Sequence, residues 1–337
     1  MMKIQTVNGA IPATDCSMIL SHEHLFIDLR NQASAESLLR PVTPDDRQLL
    51  MCDPYSIRDN LLIDNFDTAA DECRKLLTAG CNLVVDCTTN EIGRDPELLK
   101  KLSDVSGMNI VMGCGFYTGD THREDFLQSS IEEAAEKLLF EIENGIGGIK
   151  PGVIGEIGTG KSILPGEYKA LQVASIVQKK CGLTVQVHIY PWSTNGLEVV
   201  DILTGNGVAP EKIVICHSDV EFDRDYIFEL LKLGVFVEFD NFGKEFTPAD
   251  GGFSSGHFAK DTERCRVAAD IIRCGYGKQL LLTNDICLKC MLSDFGGYGY
   301  SHIFADIIPM LCREGIEKEY IREIILRENP LKMLALS

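Results

Sequence analysis

The chain has 337 residues, 45% of them hydrophobic and 24% charged, with a formal charge of −18; that is the profile of a globular protein with a large core, not of a disordered one. Clustered Lys and Arg are missing, which argues against nucleic acid and anionic membranes as partners and leaves a neutral or weakly charged small molecule. Thirteen cysteines, an odd number scattered through apolar segments, read as reduced thiols rather than as a secreted disulfide framework.

From the start of the chain, "MMKIQTVNGAIPATD" lacks the basic stretch and apolar core of a signal peptide, and no later run approaches the ~20 apolar residues of a membrane span. The expected compartment is the cytoplasm. No Pro/Ser-rich linker or charge block marks a boundary, so residues 1–337 are expected to form a single domain. The first apolar run, "SMILSHEH" (17–24), ends in two histidines one residue apart, which strand alternation places on one face. One such pair proves little, because a metal needs more ligands than two. Residues 30–66 follow, with Pro41, Pro44, Pro54 and many acids. They are too irregular for a plain crossover and read as an elaborated loop after strand one, over the mouth of the fold.

Seven further runs come next: "CNLVVDCTT" (81–89), "NIVMGCGFY" (109–117), "KPGVIGEIG" (150–158), "LTVQVHIY" (183–190), "KIVICHSD" (212–219), "GVFVEFDN" (234–241) and "QLLLTNDI" (279–286). Between most of them lie stretches such as 67–80 and 129–145, whose apolar residues recur at three and four and whose ends carry Gly, as helix stops do. Eight alternating βα units in about 300 residues predict an α/β fold, a (β/α)8 TIM barrel.

In such a barrel the reactive groups collect at the C-terminal ends of the strands. Strand one ends in His22 and His24, strand four in Glu156, strand five in His188, strand six in His217 and strand eight in Asp285. Singly, His188 or His217 reads as a satisfied core histidine. Jointly, four imidazoles and two carboxylates in one mouth are what a pair of divalent cations would neutralise, with Glu156 placed to bridge them. Zn, Mn, Fe(II), Co and Ni all suit mixed His and carboxylate ligation, and zinc is the first expectation.

"SHEHL", "GVIGEIG", "VQVHIY", "ICHSD", "LLTNDICLK" and the closing "RENPLKML", in this order, resemble the phosphotriesterase-like branch of the amidohydrolase superfamily, from about residue 18 to about 335. The resemblance implies a binuclear metal centre, with His22, His24 and Asp285 on the more buried ion and His188 and His217 on the more exposed one. Members closest to the true phosphotriesterases bridge the ions with a carboxylated lysine. At that register this chain has Gly155 and then Glu156, so it is similar to the subgroup that bridges with glutamate; Lys150 is the fallback. Relatives with this barrel are often dimers, which makes a homodimer the expected assembly.

The implied reaction is hydrolysis by a metal-bridging hydroxide, with Asp285 taking its proton and passing it to the leaving group. The expected substrate is a carboxylic ester or lactone, including phosphorylated sugar lactones. The alternatives are a phosphotriester hydrolase with the same site, amide hydrolysis by the same metals, and a non-catalytic metal-containing binding protein. Tyr117 resembles a family tyrosine near the substrate oxygen; the other reading is a rim aromatic that packs. Lys244 and Arg264, in or just after the loop following strand seven, are candidates to bind an anionic substrate group, against a plain surface role. "DFGGYGYSHIF" (294–304), with interleaved glycines and aromatics, has the makings of a mobile wall, and His302 is expected to start the next helix and pack. Cys87, Cys216 and Cys287 stand beside strand ends but form no C-x-x-C pair and read as small core residues. Cys216 and His217, being adjacent, are expected to face opposite ways.

Overall fold

The computed structural model describes residues 2–220, 223–248 and 258–335. Its main sheet has eight parallel strands, β1 (Met18–Glu23), β2 (Cys81–Asp86), β3 (Asn109–Cys114), β4 (Val153–Gly158), β5 (Val185–His188), β6 (Ile213–Ile215), β7 (Phe236–Phe239) and β8 (Leu280–Leu282), paired in sequence order. Between β8 and β1 side chains take over from the ladder. The Asp285 N–H meets the His22 carbonyl at 3.3 Å, the Thr283 hydroxyl sits between that carbonyl and the buried Glu23 carboxylate, at 2.9 and 2.7 Å, and Glu23 also accepts from Asn284 N, Asn284 Nδ2 and Ile286 N. These bonds close the sheet into a barrel, as the eight βα units predict.

Strand alternation builds two apolar layers. Ile19, Leu83, Val85, Val111, Val153, Val214, Phe236 and Leu281 form one buried cluster with Ile4 of the N-terminal hairpin and Leu331 and Met333 of the C-terminal helix. Leu20, Val84, Ile110, Ile154, Val185, Ile213, Val237 and Leu280 belong to the other, shared with the helices. Each such side chain contributes about 1.5–3 kcal/mol relative to exposure. The predicted helices at 67–80 and 129–145 are found at Phe66–Ala79, ended by Gly80 at φ 91°, and at Ile131–Asn144, begun by a Ser130/Glu133 capping box.

The long first connection is built of short helical turns, and the strand pair Ile27–Asp28 with Leu62–Ile63 clamps its base. It does lie at the mouth, where Gln32 and Tyr55 line the main cavity. The 294–304 segment is not a loose wall. Glu72 accepts from the backbone N–H groups of Ser293 and Tyr300, and the fully buried Tyr300 donates its hydroxyl to the His24 carbonyl at 2.6 Å. Its glycines serve close packing: a Cβ on Gly299 would stand 2.6 Å from Glu72 Oε2. His302 precedes the helical segment that begins at Ile303 and is buried, as expected, between Asp261 and Asp306. All thirteen cysteines are free. Among the described residues no helix is long and apolar enough to cross a membrane.

Candidate metal centre

The six residues predicted at the strand ends converge. Donor atoms of His22, His24 and Asp285 lie within 4.8 Å of one another, and so do those of Glu156, His188 and His217. Glu156 stands between the two sets: Oε1 is 3.3 Å from His24 Nε2, while Oε2 lies 3.5 Å from His22 Nε2, 3.3 Å from His188 Nδ1 and 3.6 Å from His217 Nε2. Asp285 Oδ1 is 3.1 Å from His24 Nε2 and 3.7 Å from His22 Nε2. Lys150 lies ahead of β4, at the end opposite the cluster, so Glu156 is the carboxylate the fold brings to this cluster.

Backbone conformation, not alternation alone, aims two of these groups. His217 and Asp285 follow β6 and β8 in the left-handed region, at φ 55° and 48°, which turns each side chain out of the strand's two-residue rhythm. This corrects the expectation for Cys216 and His217. The Cys216 thiol donates inward to Glu238 at 3.3 Å, and His217 turns into the same barrel mouth. Gly155, at φ 145°, is required for a different reason: a Cβ there would meet the Gln186 carbonyl at 2.6 Å.

The donor set fits divalent cations. His22 Nε2 and Glu156 Oε2 are buried without a hydrogen-bond partner among the described residues, although buried polar atoms are nearly always satisfied. Burial opposes ionisation of Glu156, yet the surrounding imidazoles, His22 first, hold it well below the usual carboxylate range. At Asp285 burial is likewise outweighed, by Lys244 and then His24. Burial also disfavours charge on His24, but Asp285 and Glu156 raise it to about 9; Asp240 and Glu156 do the same for His217, to about 10. His188 is lowered by burial and by the neighbouring His217. A field that draws protons onto buried imidazoles also draws metal cations.

The cluster forms part of the lining of a 460 Å³ cavity walled by Tyr117, Trp192, Phe246, Tyr55 and Leu288 among others. Tyr117 faces it, with its hydroxyl 3.4 Å from His188 Nδ1. Lys244 lines it too, but its ammonium is engaged by the Asp285 carboxylate. Arg264 is not among the lining residues, which corrects its assignment to substrate. Its guanidinium is fully buried, with Nε 3.0 Å from Asp219 Oδ2, Nη1 3.0 Å from Asp261 Oδ1 and Nη2 donating to the Lys244 carbonyl. The helix Asp261–Arg273 points it into the fold, where only paired charge is tolerated. Arg264→Leu is therefore expected to lower the unfolding free energy by about 3–5 kcal/mol and to leave KM unchanged in the folded fraction. Chemical denaturation and steady-state kinetics on one preparation check this.

Over residues 2–334 the chain matches the phosphotriesterase family. The chain belongs to that family. N-acetyltaurine hydrolase of Tetraodon nigroviridis is similar to it, 33% identical across 98% of this chain and 97% of the relative. A resiniferatoxin-binding protein from Rhodobacter sphaeroides shares the structure with a TM-score of 0.92 at 29% identity, covering 98% of this chain and 94% of that one. The phosphotriesterase homology protein of Escherichia coli follows at 0.81 and 26%, covering 95% and 99%. The phosphotriesterase family depends on a binuclear metal centre, and this member carries a His, Asp and Glu cluster to match. It is a metal-dependent hydrolase of amide- or ester-type bonds.

Two residues of this family member escaped sequence reasoning, Glu238 and Asp240, both fully buried on or just after β7. Asp240 accepts from His217 Nδ1 and from the His217 N–H, each at 2.9 Å, and Glu238 lies 3.2 Å from His22 Nδ1. The signal was present in "VEFDN", where two acids two residues apart share a strand face.

Proposed function

We propose that this hydrolase cleaves a carboxylic acyl bond in a small molecule: an ester, a lactone or an N-acyl amide. One observation carries the reading, the Glu156 carboxylate standing between two histidine sets in a cavity large enough for such a substrate. The N-acetyltaurine hydrolases, similar over nearly the whole chain, bring amides in beside the esters and lactones suggested by the motifs. An anionic amine part would meet Lys161, an exposed cation on the cavity wall.

His22, His24 and Asp285 would hold one divalent ion and His188 and His217 the other, with Glu156 shared. When bound, the two ions, zinc by first expectation, supply Lewis acidity that polarises the acyl oxygen and lowers the pKa of water. The residues do the rest. Asp285 receives the proton released as water attacks and delivers it to the departing oxygen or nitrogen. Tyr117 donates a hydrogen bond to the acyl oxygen, Lys244 keeps the Asp285 carboxylate ionised and in place, and the aromatic walls exclude bulk water. A panel of lactones, phosphorylated sugar lactones, aryl esters, N-acetylated amines and paraoxon-like triesters tests this. Turnover is expected on acyl substrates; turnover confined to triesters would sink the proposal.

A further inference from the structure

Glu238 is a fully buried carboxylate inside the barrel, beneath the cluster, and among the described residues it has no Lys or Arg partner. Ser21 Oγ donates to Oε1 at 2.6 Å; at Oε2 the Gln186 amide and the Cys216 thiol donate at 3.3 Å, and His22 Nδ1 lies at 3.2 Å. Ser21 and His22 both reach it because the β1 ladder shifts register between Leu20 and Glu23. Oε2 already takes donors from Gln186 and Cys216, so the imidazole nitrogen at 3.2 Å completes a set of donors around one acceptor oxygen. The other nitrogen, His22 Nε2, is buried with no hydrogen-bond partner among the described residues and faces carboxylate oxygens at 3.5 and 3.7 Å. Nε2 is thus the ring nitrogen that faces the mouth, toward two carboxylate oxygens between which a cation would sit.

We propose that Glu238 is a positioning residue for the metal centre: it accepts the Nδ1 proton of His22 and so fixes the tautomer whose Nε2 lone pair faces Glu156 and Asp285. Asp240 serves His217 at 2.9 Å and stands farther from His22 Nδ1, at 3.6 Å against 3.2 Å for Glu238. A carboxylate behind a ligating histidine sets ring orientation and raises ligand basicity, and losing one costs 10–100-fold in metal affinity. Glu238→Gln keeps the size but puts a neutral amide, a weaker acceptor than a carboxylate, behind Nδ1. The inference rests on the proposed metal site, and the test separates the two.

Nitrogen-15 NMR of the metal-free wild-type protein reads the His22 tautomer directly, without any variant and without metal. Nδ1–H is expected, with or without a second proton on Nε2; an Nδ1 that carries no proton overturns the proposal. Zn(II) competition titration then compares wild type with Glu238→Gln, with the metal-free melting temperature as control for folding. The expected result is a loss of about 10–100-fold in affinity for one of two ions while the metal-free protein melts as wild type does. Unchanged affinity for both ions overturns the proposal. Failure of the wild type to bind Zn(II) at all would defeat the metal reading itself, and the NMR result would still decide the tautomer. If Glu238→Gln does not fold, the wild-type spectrum alone decides.

Discussion

Asp285→Asn is expected to lower kcat/KM for the best acyl substrate by about a thousandfold, within the 10²–10⁴ that positioned acid–base groups supply. The carboxylate sits where a proton must change hands: in the cavity, 3.1 Å from His24 Nε2, with Lys244 on its second oxygen. Asparagine keeps the shape and one oxygen but cannot carry a proton between water and leaving group. A thousandfold is about 4 kcal/mol of transition-state stabilisation, well beyond what a rim contact provides. Steady-state kinetics with elemental analysis on the same preparation checks it. Activity within tenfold of wild type, with metal retained, would remove Asp285 from the mechanism.

Glu156→Gln is expected to reduce bound divalent metal from about two ions per chain to about one and to lower hydrolysis by at least about 100-fold, as loss of one ion removes half of a paired clamp. The reason is geometric: its two oxygens are the atoms that face both histidine sets. An amide offers a neutral oxygen and a nitrogen that repels cations. Lys150→Ala is the companion variant, and from its place at the far end of β4 it should leave metal content and turnover intact. Equal metal content in wild type and Glu156→Gln would mean that another group shares the ions.

The barrel and the six clustered residues were legible early because both are local properties. A βα repeat shows in the spacing of apolar runs, and a histidine at the end of a run can be counted without knowing what lies across from it. The misreadings share a cause. Arg264 looked available to an anionic substrate because its partners Asp219 and Asp261 become visible only when the helix after β7 docks. The 294–304 segment looked loose because Glu72, over two hundred residues earlier, is what ties it down.

Taken alone, then, the amino-acid order determined the repeat, the strand ends, and which side chains were rich enough in nitrogen and oxygen to hold metal. Tertiary structure decided which buried charges pair and how the ligands are aimed. His217 and Asp285 turn through left-handed backbone, and Glu238 is joined to Ser21 and His22 across 217 and 216 positions of chain. Secondary structure arises from neighbours a few residues apart, whereas a buried charge must be satisfied by whatever group the closed barrel sets beside it.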